Sequence, residues 1–248
     1  MKYLISVLEF VGGVTILAGR VFRLLFRGRV SFALLVQQMS YLGVNSIPIS
    51  VMVLCFAGAT ITFITAPELH ERGAGSMMGG LLLIVLLREF IPVFTGVVLA
   101  GKIGAAITSE IGSMKITHQI DALRALSTDP DWYLTLPRVL AGMIMAPVIA
   151  VFAGYGGWYA GYYTAHKKIG ISYDLFVSTR NLADDKDYAA CLVKCVAFSI
   201  VIVMTACWMG YRASGGAAGV GRAVTNSVVA NIVLLFAFDL LLTAVLAL

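Results

Sequence analysis

Four ionisable residues stand in stretches otherwise apolar enough to fill a bilayer: Arg88 and Glu89 side by side, Lys194, and Asp239. A charge at bilayer depth is costly unless it is paired or faces water, so such residues either neutralise one another or line a polar path. Both chemistries are open to this set. Lys194 and Asp239 are suited to pair, and Arg88 or Lys194 would draw the phosphate of an amphiphile's head group. At 1.5 Å per residue, Arg88 lies about 16 Å, Lys194 about 9 Å and Asp239 about 12 Å in from the ends of their apolar runs. The expected site is therefore a cavity with apolar walls, with Arg88, Glu89, Lys194 and Asp239 as candidates for holding a head group.

Other chemistry finds little support. His70, His118 and His166 fall in three different polar segments, and neither H-E-x-x-H nor G-x-S-x-G occurs. Cys55, Cys191, Cys195 and Cys207 all sit in apolar runs, where thiols behave as small hydrophobes, and no metal site is expected. The glycine-rich run Gly210 to Arg222 superficially resembles a phosphate-cradling loop. It lacks G-x-x-x-x-G-K-[ST] and follows no strand, so it reads as a tight turn, and the chain alone is not expected to hydrolyse ATP. A net charge of +5 without a basic face or aromatic-basic motif gives no reason to expect nucleic acid as a partner.

The elements that must position these residues follow from composition. The chain has 248 residues, 60% hydrophobic and 12% charged, half the ~25% charge of soluble domains. That makes it an integral membrane protein, and its length accommodates roughly five spans of about 20 apolar residues. Residues 1–45 are expected to form an N-terminal interfacial region, with Glu9, Arg20, Arg23 and Arg27 on one side and an apolar face on the others. Residues 46–248 are expected to carry the spans, at about 46–66, 77–106, 136–165, 188–210 and 225–247. Pro67 should end the first and Pro92 kink the second. Gly154, Gly157 and Gly161 should let a neighbouring helix approach the third. Ile116, Ile120, Leu123 and Leu126 make an apolar stripe in the polar segment after the second. With the N-terminus in the cytoplasm, ten Lys and Arg fall in inside segments against five outside, the sense of the positive-inside rule.

From Leu87 to Pro130 the chain carries Leu87-Arg88-Glu89, Pro92-Val93, Ala100-Gly101-Lys102-Ile103-Gly104-Ala105, Glu110-Ile111-Gly112 with Met114, Gln119-Ile120-Asp121-Ala122-Leu123 and Asp129-Pro130. This pattern resembles the MlaE-type permeases of MCE-associated ABC transporters. Lys102, Ser109 and His118 stand where that family usually has Arg, Ala and Glu. The later runs Gly215 to Gly221, Lys194 to Ser199, and Asp239 with Leu242 and Thr243 are similar to the family as well.

The resemblance implies an all-α integral membrane protein of the MlaE permease fold, five transmembrane helices preceded by an amphipathic interfacial helix. It implies a cytoplasmic coupling helix at about 110–128, with Glu110, Gly112, Met114, His118, Gln119 and Asp121 facing an ATPase. The partners implied are a second copy of the chain, an ABC ATPase subunit that carries ATP and Mg, an MCE-domain periplasmic protein and a STAS-domain protein. The job implied is movement of phospholipid between a bacterial inner membrane and the outer membrane, maintaining lipid asymmetry there, by a transport subunit that holds no cofactor of its own. A permease for sterol or fatty acid, or an intramembrane lipid-modifying enzyme, is the alternative expectation.

Overall fold

The computed structural model describes residues 2–25 and 31–246, with the backbone alone for residues 2–7. Arg27 and the residues beside it in the expected basic stripe, and Ala247 at the expected end of the last span, lie outside the described residues. Among the described residues the structure is helical, with no strand. The α-helices are α1 (Lys2–Leu25), α2 (Phe32–Gln38), α3 (Ile47–Glu71), α4 (Met78–Val85), α5 (Ile91–Leu99) and α6 (Ala105–Ile116). They continue with α7 (Gln119–Ala125), α8 (Leu136–Ile169), α9 (Tyr173–Ser178), α10 (Asp185–Tyr211) and α11 (Gly216–Leu246). π turns and short 3-10 turns link several of them into longer runs. Five runs are long and apolar enough to cross a membrane: Phe32–Glu71, Gly75–Ile116, Asp131–Ile169, Asp185–Tyr211 and Gly216–Leu246.

The runs differ from the expected spans mainly at their ends. The first begins at Phe32 rather than Ser46, and it continues through Pro67 to Glu71. A proline inside a helix removes one hydrogen bond but keeps a helical φ, so a long apolar helix can carry one. The second run has 42 residues, twice what a bilayer core requires, and α6 is its direct continuation. The last run starts at Gly216, so most of the expected glycine turn is helix, and the connection before it is only Arg212 to Gly215.

The helices contribute to two compact units. One comprises Met1–Gly43, Leu99–Met145 and Ser199–Ala237. Here α1 buries Leu17 and Val21 and lays Gly13 under the Trp208 ring. Leu8, Val11 and Phe22 stay exposed on it, as suits a helix lying in a membrane surface. Arg20 pairs with Asp131 and Arg212 with Glu9, each at 3.6 Å. The buried Thr108 hydroxyl on α6 lies 2.8 Å from Ser227 Oγ on α11 and 3.1 Å from the Ala206 carbonyl on α10.

The other unit comprises Val44–Val98, Ala146–Phe198 and Phe238–Leu248. In it α3 and α8 come close at the backbone, where Gly58 meets Gly157. A Cβ on Gly157 would stand 2.8 Å from the Leu54 carbonyl oxygen, so only glycine lets the two helices touch there. Gly154 and Gly161 make room for Ile91 and Leu82 in the same way, the packing role expected of this series. The polar connection after α8 is folded. Ser172 caps α9, and Phe176 is fully buried against Trp158 and Tyr162 at ring-centroid distances of 5.1 and 5.5 Å.

Candidate functional site

The four ionisable residues singled out in the sequence meet in one place within the second unit. Two local features of the chain put them there. Arg88 and Glu89 lie on the π turn Leu86–Phe90, whose wider winding re-aims the side chains it carries. One turn on, Pro92 lacks the N–H that would have taken the Arg88 carbonyl in an unbroken α-helix. That carbonyl accepts instead from the Lys194 ammonium of α10, at 2.7 Å.

Lys194 is 3% exposed at its side chain, and its ammonium has four oxygen neighbours for three protons. Its protons go to the Arg88 carbonyl, to Glu89 Oε1 at 3.1 Å and to the Thr243 hydroxyl at 2.7 Å. Asp239 Oδ1 completes the shell as an ion pair at 2.9 Å. The Thr243 hydroxyl, having accepted from Lys194, donates to Glu89 Oε1 at 3.2 Å, which closes a ring of charge-assisted bonds. The Arg88 side chain turns the other way. Its Nε donates to Asp187 Oδ1 at 2.7 Å, and the other oxygen of that carboxylate accepts from the Asp184 backbone N–H at 3.1 Å.

Burial divides the four into two kinds. Lys194 and Asp239 are enclosed, the ammonium sealed by protein oxygens. Arg88 and Glu89 remain accessible, with 59% and 42% of their side chains exposed. Of these four, Arg88 is the cation that an incoming anionic group can reach, and Lys194 holds the scaffold beside it. Asp187 and Thr243 are partners that sequence reasoning did not assign. Thr243 could have been found as the helical i+4 neighbour of Asp239. Asp187 carried no signal beyond its place at the start of an apolar helix.

The segment expected to reach the ATPase lies in the first unit. It is two helices rather than one: α6 ends at Ile116, His118 takes a left-handed conformation with φ 59°, and α7 begins at Gln119. The break redirects the apolar stripe, so Ile120 is buried while Leu126 is 77% exposed. Glu110 pairs with Arg138 Nη2 of α8 at 2.9 Å. Arg138 also donates through Nη1 to the Leu134 carbonyl at 2.8 Å and is 3% exposed, a buried tie between the second and third runs. It was counted in the sequence only as one more inside cation.

Gly112 lies under Ala213 and Val220, 3.2 Å from where its Cβ would be, and Met114 is half-buried. His118 and Gln119 are exposed. Asp121 faces His118 Nδ1 at 3.2 Å, Arg124 at 3.5 Å and Lys115 at 3.6 Å. The hydrogen bond from His118, with Lys115 and Arg124 close by, holds its carboxyl below the usual carboxylate range.

Described residues that are helical throughout, with five runs long and apolar enough to cross a membrane, define a multi-pass membrane protein. Comparison with known sequences gives the family. The sequence profile described as "Permease MlaE" matches residues 35–245, and the chain belongs to that family. A probable ABC transporter permease protein of Synechocystis is 36% identical over 221 residues, covering 89% of this chain and 84% of the relative. One from Rickettsia felis is 31% identical over 243 residues, 98% of this chain and 94% of the relative. One from Porphyra purpurea is 35% identical over 202 residues, 81% of this chain and 77% of the relative. The chain is thus an ABC transporter permease subunit.

Proposed function

We propose that this permease moves phospholipid between a bacterial inner membrane, where its N-terminus is cytoplasmic, and the outer membrane, whose lipid asymmetry it maintains. It works as a homodimer on two copies of an ABC ATPase that binds ATP and Mg. An MCE-domain protein caps the periplasmic side, and a STAS-domain protein sits on the ATPase. The observation that carries this reading is the accessible Arg88 guanidinium, held beside Glu89 on a π turn that the buried Lys194, with Asp239 and Thr243 around it, fixes in place. A guanidinium offers a phosphate two parallel donors, and apolar helix surface flanks it for acyl chains.

Coupling runs through the exposed end of the second run. Closure of the ATPase pair pushes on His118, Gln119 and Leu126, and the Glu110–Arg138 pair passes that motion from the second run to the third. The run Gly75–Ile116 carries both Arg88 and Glu110. Collapse of the lipid cavity then expels or admits the lipid.

The test is ATP-dependent transfer of a fluorescent phospholipid between proteoliposomes and acceptor vesicles by the assembled complex. Arg88→Ala and Lys194→Ala should each abolish transfer while the complex still assembles. Unchanged transfer in both removes the head-group reading, and failure of the chain to capture any ATPase removes the coupling reading.

A further inference from the structure

A separate recess lies within the second unit, on the flank of α4, α5, α8, α9 and α10, and the ion network takes no part in it. Its volume is about 400 Å³. Leu83, Leu87 and Ile91 make one wall, and Val151 and Leu192 face them. From Leu83 to Ile91 is about 12 Å at 1.5 Å per residue, most of the ~15 Å that one leaflet contributes to the hydrocarbon core. Trp158 backs the recess, held rigid by its Nε1 donating to the Gly79 carbonyl at 3.1 Å.

The polar lining comes from one stretch of chain, the connection between α8 and α10 and the first turn of α10. Arg180 lines the recess from the 3-10 turn Thr179–Leu182 that follows α9. Among the described residues its guanidinium makes no ion pair, whereas Arg88 is paired with Asp187. Tyr173 at the start of α9 and Tyr188 in the first turn of α10 line it too, roughly half exposed, with phenol hydroxyls that have no hydrogen-bond partner among the described residues. An unpaired guanidinium and two free hydroxyls lining an apolar trough about 12 Å long complement an acyl chain that ends in an anionic phosphate.

We propose that this recess binds one acyl chain of an anionic phospholipid from the surrounding bilayer, with Arg180 as its phosphate contact. The site is built by one chain, does not include Arg88 in its lining, and holds whether or not phospholipid is the transported cargo. Arg180 makes it selective for charge, whereas an ordinary apolar flank would take any lipid.

The experiment uses the assembled complex in phosphatidylcholine nanodiscs. These are doped with phosphatidylglycerol or phosphatidylcholine bearing a photoreactive group in the acyl chain, and labelled peptides are mapped by mass spectrometry. Phosphatidylglycerol should label the peptides around Val151 and Leu192 well above phosphatidylcholine. Arg180→Gln should lower that labelling about tenfold, the size of one lost hydrogen bond to a charged group, while Arg180→Lys stays near the wild-type level. Val151→Trp, which fills the trough from an exposed position, should remove labelling by both lipids. Equal labelling by the two lipids in the wild type, labelling unchanged by Arg180→Gln, or no labelling because another protein's helix fills the recess would each overturn the proposal.

Discussion

Replacing Lys194 by Met probes the network most directly. Met keeps most of the side-chain volume and removes the ammonium. Four oxygens within 3.1 Å then lose their cation, and the carboxylates of Glu89 and Asp239 are left facing one another. Removing one partner of a buried ion pair costs about 3–5 kcal/mol. Glu89 is 42% exposed and regains water, which places the cost near the lower end, about 3 kcal/mol. At roughly 2–4 °C per kcal/mol for a chain of this size, the melting temperature should fall by about 6–12 °C.

The three tryptophans give a fluorescence signal for thermal unfolding in nanodiscs. A triple variant that also carries Glu89→Gln and Asp239→Leu should recover most of the loss, because an apolar replacement of a whole buried pair is close to neutral. If the single variant melts within about 2 °C of the wild type, or the triple variant no higher than the single one, the ammonium does not hold this site together.

Three further outcomes follow from the geometry. Gly157→Val should separate α3 from α8 and lower stability by about 1–3 kcal/mol, read as an earlier melting transition in the same nanodiscs. Arg138→Met should strand the Glu110 carboxylate and uncouple lipid transfer from ATP hydrolysis in proteoliposomes. Arg138→Lys should not rescue it, since one ammonium cannot reproduce the two-armed contact with Glu110 and the Leu134 carbonyl. Asp121, whose folded carboxyl sits below its ordinary range, contributes its contacts fully above that range and loses them as pH falls through the lowered folded value. In carboxyl-carbon NMR its titration should move upward in pH when His118 is changed to Ala, and an unmoved titration would mean that His118 does not hold it down.

What the residue order settled by itself was everything that depends on composition and local spacing. A charged fraction of 12% and continuous apolar runs of about 20 residues dictate membrane helices, because a helix satisfies its backbone polar groups within the segment and needs that length to cross, whereas a barrel strand is half as long. The rarity of charge in those runs marked Arg88, Glu89, Lys194 and Asp239, since such residues are too costly to be incidental. The spacing of Gly154, Gly157 and Gly161 marked a packing face.

Pairing was beyond its reach. Lys194 binds residues 105 positions back and 49 positions on, and nothing in a linear pattern ranks Glu89, Asp239 and Thr243 as its partners. Nor could it sort the accessible Arg88 from the sealed Lys194, since both read as charges in oily helices. The break at His118 escaped periodicity because one left-handed residue resets a helix phase without altering composition. Arg138 looked like an ordinary inside cation until folding placed Glu110 2.9 Å away. Those distinctions arise only when separate helices meet, because burial and ion pairing are properties of neighbours in space.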